Sequence, residues 1–455
     1  MAEQLRSSGW THPSIVALDV GDPVSWVTAR ARELALRAME AGWSGPPFDP
    51  TSLADMLRIE VRPSQDVLDA RLVPGPGRAR IDFNPNRPPG RVRYSIAHEI
   101  AHTLFPDSGQ EARHRLAGVR GSADAELEVL CNLAAAEILM PIGSFIEIAA
   151  EPPSIDSALR MRAEFDLSTE AVLLRIGRIA RFPVTVFAAA PHGAQATDGY
   201  RIDYAVSPGP GSSLATRGDN LPAGSVVGEC TAIGYTAKGR ERWRAMVVPQ
   251  LVEVVGLPPY PGQALPRVAG FVLPATKSPE RPAINYLVGD ATEPRGEGQR
   301  IVMHLVNDAT PRWGGAFARA LRARWPGVQA AFIAWAGGRA PQIGAVNIVE
   351  AEPGIHVASM VAQHGFGRSD APRVRYLQLE ACLDQVADEA LEIGASVHAP
   401  RVGAGEAGGS WPVIAELIDR VMVARGVPVT IYDLPGRGRP TIDLPGPHQM
   451  PLTLA

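Results

Sequence analysis

Arg91-Val-Arg-Tyr-Ser-Ile-Ala-His-Glu-Ile-Ala-His-Thr-Leu-Phe105 contains the pattern H-E-x-x-H in His98, Glu99 and His102. On a helix, positions i and i+4 lie one above the other, so both imidazoles face the same way. Two neutral ring nitrogens can then meet one zinc ion, and Glu99, next to the first histidine, can reach a water on that metal. Ile96, Ile100 and Leu104 recur every four residues and give the helix an apolar side to pack on a core. Pro106 is expected to end the element, because its ring cannot continue the hydrogen-bond ladder.

Outward from this stretch the pattern stays helical and then changes twice. Residues 24–40 read as an amphipathic helix broken by Gly42 and the Pro46-Pro47 pair. Asp49-Pro50-Thr51-Ser52 caps a short helix over Leu53 to Leu57, and strands follow at Ile59 to Val61 and Ala79 to Phe83. A second strong helix runs from Asp124 to Met140 and stops at Pro141. Helices over 155–165 and 168–180 then lead to a strand at Val184 to Ala188.

Near residue 191 the composition shifts to short apolar runs between Gly, Pro and Asp turns, such as Val226-Val-Gly and Trp243-Arg-Ala-Met-Val-Val248. That pattern indicates a small β-rich module. Leu273 to Pro282 has the composition of a linker. The last part alternates strands (Ile301 to Val306, Ser396 to Pro400, Val427 to Tyr432) with helices (Ala316 to Trp325, Arg375 to Ile393, Val413 to Arg425). Ala345 to Val349 and Ile355 to Val361 pair across a Pro353-Gly354 turn. Such alternation implies a mainly parallel or mixed sheet covered on both faces.

At 455 residues the chain needs two or three domains. Hydrophobic content of 45% with 20% charged residues is that of a soluble globular protein. A net charge of −4 and a pI near 6.2 leave no global basic field for nucleic acid. Cys131, Cys230 and Cys382 are far apart and form no CxxC pair, which excludes a disulfide framework or thiolate zinc site and fits a reducing cytosol. With no basic-then-apolar leader pattern and no apolar run of about 18 residues, a cytoplasmic protein with no membrane partner is expected.

Two histidines leave a catalytic zinc short of a third protein ligand, and a carboxylate on a nearby helix is the usual solution. Glu126, Glu128 and Glu137 are the candidates. At about 100° per residue Glu126 and Glu137 share one face and Glu128 sits opposite, so one face or the other looks at the metal. Arg93-Tyr-Ser-Ile-Ala-His-Glu-Ile-Ala-His102, followed by Glu128-x-x-x-Asn-Leu-Ala-Ala-Ala-Glu-Ile-Leu-Met-Pro141, closely resembles the ImmA/IrrE-type metallopeptidases over residues 25–180. The resemblance implies an α+β zincin-like fold, Zn(2+) held by His98, His102 and Glu128, and Glu99 as the catalytic base. It also implies a protein substrate such as a transcriptional repressor. Cys131 stands where the family usually has alanine, a small-for-small exchange expected to be harmless.

The C-terminal part carries a second constellation. Val288-Gly-Asp290-Ala-Thr292 and Val306-Asn307-Asp308 each follow a strand, and Trp313-Gly-Gly315 opens a helix. Pro400-Arg-Val-Gly403-Ala-Gly405-Glu-Ala-Gly-Gly-Ser-Trp411 lies between a strand and a helix. Gly-rich strand-to-helix turns let backbone N–H groups face phosphate oxygens, and two of them in one α/β domain make a diphosphate cradle at the strands' carboxyl ends. In this order the motifs resemble a macrodomain, nearest the branch of terminal ADP-ribose glycohydrolases, over residues 283–435.

That resemblance implies an ADP-ribose site: Asp290 at the adenine, Gly314, Gly315, Gly403, Ala404 and Gly405 at the diphosphate and distal ribose, and Asn307 beside that ribose. The lysine and aspartate used by that branch are replaced by Gln363 and Ala407, which leaves hydrolysis by bound water, helped by Asp308 or His364, with Glu406 as another helper. The expected layout is multidomain: a peptidase domain over 1–190, a β-rich connecting or sensing module over 191–275, an α/β three-layer macrodomain over 276–437 and a flexible tail over 438–455. The expected function is a zinc endopeptidase coupled to an ADP-ribosylhydrolase acting on modified protein or nucleic acid, in stress response or defence. The alternative is a peptidase recruited to ADP-ribosylated targets by a non-catalytic reader.

Overall fold

Most helices in the first third of the chain open with a side-chain cap or a proline in the first turn. The computed structural model describes residues 10–435 except 76, 107, 109–112, 115–122, 146–151, 181, 193–198, 209–213, 244–245, 261–262, 275–281 and 368. The chain divides into two compact units, Met1–Glu280 and Arg281–Ala455. Residues 275–281 of the expected linker and the whole of the expected tail lie outside the described residues.

The first unit begins with α1 (Pro13–Val16), α2 (Pro23–Glu40) and α3 (Pro50–Met56). Asp22 caps α2 by accepting from Val24 N, and Asp49 caps α3 by accepting from Thr51 N and Ser52 N. Strands β1 (Glu60–Pro63), β2 (Ala70–Val73) and β3 (Arg80–Phe83) lead into α4 (Pro89–His102), which carries H-E-x-x-H. β4 (Arg113–His114) completes a four-stranded sheet of order β1-β3-β2-β4, and α5 (Ala123–Leu139) follows.

α2 and α4 both pack on α5. Leu127, Leu130, Cys131, Leu133, Ala134, Ala135, Ile138 and Leu139 of α5 are all buried, so this helix is enclosed on most of its circumference. Ile96 and Ile100 are buried as expected, but α4 ends at His102, with Thr103 as cap, four residues before Pro106. Leu104 therefore lies beyond the helix and only partly buried, and Phe105 fills the core there instead.

Helices α6 (Ile155–Phe165) and α7 (Thr169–Ile179) precede a second sheet formed by β5 (Thr185–Pro191), β6 (Tyr200–Val206), β7 (Thr236–Glu241), β8 (Gln250–Leu257) and β9 (Arg267–Leu273). Its order is β6-β5-β9-β8-β7, antiparallel throughout. β5 lies between β6 and β9, so this sheet begins before the composition shift at residue 191. α7 reaches it through Gly177, where an added Cβ would stand 2.7 Å from Val186 Cγ2. Two quoted apolar runs are not strands: Val226–Glu229 is a 3-10 turn, and Trp243 and Met246 are buried in an irregular connection that leaves Val247 exposed. Glu241 explains the bend, because its carboxylate accepts from Trp243 Nε1 and from Val226 N.

The second unit runs β10 (Asn285–Val288), β11 (Arg300–Asn307), α8 (Ala316–Arg324), α9 (Pro326–Trp335), β12 (Val346–Glu352), β13 (Ile355–Gln363), α10 (Tyr376–Ile393), β14 (Ser396–Pro400), α11 (Trp411–Val421) and β15 (Val429–Asp433). The sheet order is β10-β15-β14-β11-β13-β12, parallel except where β12 meets β13. Val302, Val306, Val357 and Val361 pack with Leu321 and Phe332 of α8 and α9. The alternate set Ile301, Met303, Ala358 and Met360 is also buried, so the sheet is covered on both faces. The carboxyl ends of the parallel strands deliver Gly289–Asp290, Asn307–Asp308, Gln363–His364 and Pro400–Arg401 to one rim.

Candidate functional site

In the first unit α4 and α5 face each other with their polar groups aligned. His98 and His102 are buried, with ring centroids 5.0 Å apart. Glu128 of α5 approaches both: its Oε2 lies 3.1 Å from His98 Nε2 and its Oε1 3.4 Å from His102 Nε2. Neither Nε2 makes a hydrogen bond, so these are close approaches without hydrogen-bond geometry. Burial raises the Glu128 carboxyl, but the imidazoles of His102 and His98 outweigh it and hold the group at about 2.

The far side of each imidazole is tied down by α5 as well. His98 Nδ1 lies 3.1 Å from Asn132 Oδ1, which also accepts from Tyr94 OH at 3.3 Å. An amide oxygen only accepts, so His98 carries a proton on Nδ1, which leaves Nε2, on the side of Glu128, as the nitrogen able to give a lone pair to a metal. His102 Nδ1 lies 3.3 Å from Cys131 Sγ. The cysteine that stands at the family's alanine position thus touches an imidazole of the H-E-x-x-H motif.

Glu99 is buried, and its Oε2 accepts from the backbone N–H of Leu72 on β2 at 2.8 Å. β2 is fixed to the same helix by Arg91, whose guanidinium meets the two oxygens of the buried Asp69 at 2.6 and 2.7 Å. The other two glutamates considered for the third ligand point elsewhere. Glu126 accepts from Thr11 N at 2.6 Å and His12 N at 2.9 Å, anchoring the segment before α1, and Glu137 forms a buried ion pair with Arg175.

These residues suit a divalent metal. Among the described residues, the ligand atoms of His98, Glu99 and His102 lie within 4.8 Å of one another. Glu128 approaches both imidazoles, while Glu99 Oε2 is held by the Leu72 N–H, so two carboxylates stand at this site. With donor bonds near 2.0–2.2 Å, the edge of a tetrahedral zinc site is about 3.4 Å. The two Glu128–imidazole separations of 3.1 and 3.4 Å are of that size.

In the second unit Asp308 and His364 meet across neighbouring strand ends, with His364 Nδ1 2.8 Å from Asp308 Oδ2. The other oxygen, Oδ1, accepts from Gly365 N at 2.8 Å. Burial raises the Asp308 carboxyl, but the Gly365 N–H and His364 outweigh it and leave it lowered. An ionised Asp308 places the His364 proton on Nδ1, and the side chain is 63% exposed, so Nε2 is presented to the rim.

Asn307 Oδ1 caps the next turn by accepting from Ala309 N and Thr310 N, and Asp290 Oδ1 accepts from Thr292 N. Gly314 and Gly315 precede α8, and an added Cβ at Gly315 would lie 3.6 Å from Glu406 Oε2, so the two Gly-rich loops converge. Gly403 has φ +75°, open to glycine, with Ala404 and Gly405 following in the same loop. Gln363 Nε2 is committed to Gly365 O at 2.8 Å, and Ala407 is buried.

Two parts of the chain are similar to known proteins. The Peptidase M78 family model, described as an IrrE N-terminal-like domain, matches residues 59–177. A macrodomain protein from Streptomyces coelicolor is 41% identical, covering 33% of this chain and 98% of that one, with a TM-score of 0.29. A protein of unknown function from Bacteroides thetaiotaomicron is 35% identical, covering 34% of this chain and 100% of that one, with a TM-score of 0.33. Among curated proteins, the chromodomain-helicase-DNA-binding protein 1-like of Mus musculus is 29% identical over 164 residues, or 34% of this chain. The chain spans 18% of that relative's length. The molecule is thus a multidomain α/β protein of helices and mixed sheets. A region that matches the Peptidase M78 model, residues 59–177, is joined in it to a macrodomain-like α/β region. Among the described residues no helix is long and apolar enough to cross a membrane.

Proposed function

We propose that the first unit is a zinc-dependent endopeptidase and that the second holds ADP-ribose and hydrolyses it from a modified macromolecule. The observation behind the first half is the convergence of two imidazole Nε2 atoms and one carboxylate at 3.1 and 3.4 Å in a buried setting. His98, His102 and Glu128 would hold the zinc. When bound, zinc lowers the pKa of water and polarises a peptide carbonyl. Glu99, oriented by the Leu72 N–H, takes the proton of the attacking water and passes it to the leaving amine. The protein substrate is a regulatory protein such as a transcriptional repressor, and the setting is stress response or defence in the cytoplasm.

Full-length protein and its Glu99→Gln variant, each expressed in cells lacking the chain, test this. Zinc content should be equal, and new protein N-termini should arise only with the unchanged protein, since losing a general base costs about 100-fold or more. Cleavage that persists in Glu99→Gln would overturn the assignment.

In the second unit His364, oriented by Asp308, serves as general base for a water that attacks the anomeric carbon of the distal ribose. The proton moves to His364 Nε2, and the linked side chain or base departs with the bonding electrons. The positions of Gln363 and Ala407 favour a second reading, in which the same site only binds ADP-ribose and recruits the peptidase. Incubating the full chain with mono-ADP-ribosylated protein or DNA separates the two. Release of free ADP-ribose supports hydrolysis, and saturable binding without release supports the reader.

A further inference from the structure

We infer that Cys131 is a positioning residue for the metal centre, holding the ring of His102 through its Nδ1. The inference rests on the zinc reading above and concerns a position that the H-E-x-x-H pattern does not specify. On α5, Glu128, Cys131 and Asn132 stand at i, i+3 and i+4 and therefore share one helix face. That single face meets both imidazoles of α4 at both of their nitrogens. Glu128 meets the two Nε2 atoms, Asn132 Oδ1 meets His98 Nδ1 at 3.1 Å, and Cys131 Sγ meets His102 Nδ1 at 3.3 Å.

The sulfur cannot be a metal ligand together with His102 Nε2, because it lies against the opposite nitrogen of the same ring. Its part follows from proton placement. Nε2 can give a lone pair to a metal only if Nδ1 keeps the proton, and a protonated Nδ1 needs an acceptor in a site where His102 is 1% exposed. Cys131 is fully buried and its sulfur occupies that acceptor position. Alanine there would leave the N–H facing a methyl group. A sulfur accepts more weakly than an amide oxygen, so the two histidines are held unequally, His98 firmly and His102 loosely.

The test is zinc affinity of the full chain by chelator competition, paired with the visible spectrum of the cobalt(II)-substituted protein. Unchanged protein, Cys131→Ala and Cys131→Ser are compared. We expect Cys131→Ala to weaken zinc by about 10-fold, the lower end of the range for lost outer contacts, and to shift the cobalt bands. Cys131→Ser should restore affinity to within about twofold, because a hydroxyl oxygen accepts in the same place. Cys131→Ala binding zinc as tightly as the unchanged protein would overturn the inference. So would equal weakening in both variants, since that is a packing effect alone. If the unchanged protein binds no zinc, the metallopeptidase reading itself falls, an outcome distinct from either of these.

Discussion

Asn132 decides the tautomer of His98. Its Oδ1 accepts from Tyr94 OH as well as facing His98 Nδ1, so the amide is itself fixed. Asn132→Ala should therefore weaken zinc binding about 10- to 100-fold, measured by chelator competition, while circular dichroism stays unchanged. In the second unit, His364→Ala should lower release of ADP-ribose about 100-fold and leave ADP-ribose affinity within about twofold. Equal loss of both would mean that the ring binds ligand and moves no proton.

H-E-x-x-H was legible because its geometry is local, three residues on one turn of helix. Glu128 was not legible from spacing alone, since helical phase left two faces open until Glu126 was found on the segment before α1 and Glu137 on Arg175. The partners that orient the imidazoles were hidden for a plainer reason. Asn132 lies 34 positions from His98, and Cys131 lies 29 from His102.

At the scale of elements, the long periodic helices and most of the named strands were read close to their bounds, and a few short elements were missed. The helices α2, α5, α6, α7 and α10 fall within a residue or two of their expected bounds, because α5 is one long mainly apolar run and each of the others buries one face. β2 went unread, though it supplies the N–H that orients Glu99. Its four residues Ala-Arg-Leu-Val are too few for periodicity to register. α9 also went unread: Pro326 follows directly on Trp325 and begins a second helix at its first position. The contact of α7 with the second sheet depends on Gly177, whose place leaves only 2.7 Å between a Cβ and Val186 Cγ2. Gly177→Val should push helix and sheet apart and cost about 1–3 kcal/mol, read as a lower midpoint in urea unfolding. An unchanged midpoint would show that α7 is not seated on β5 as described.

For the molecule as a whole, stability depends on two histidines that the fold keeps neutral. Burial pushes His304 down to about 3, and burial together with the Arg300 charge pushes His398 down to about 4. Below pH 6.5 the unfolded chain takes up protons at these positions that the folded chain does not, so stability is full above 6.5. It is then lost by about 1.4 kcal/mol per pH unit for each group, until pH about 4 for one and about 3 for the other. Urea midpoints of the second unit's transition should fall steadily between pH 6.5 and 4, and His398→Gln should make that fall shallower. The strand–helix alternation of the last part falls in the unit Arg281–Ala455, while the sheet of β5 to β9 hides its first strand on the near side of the composition shift.

We propose that α4 and α5 together build a zinc site from His98, His102 and Glu128, with Glu99 outside the ligand set. Its most direct test is zinc stoichiometry of the purified full-length chain by elemental analysis, beside the variants Glu128→Ala and Glu99→Gln. The account predicts one zinc per chain in the unchanged protein and in Glu99→Gln, and a large loss in Glu128→Ala. Full zinc occupancy in Glu128→Ala, or loss of zinc in Glu99→Gln, would contradict it.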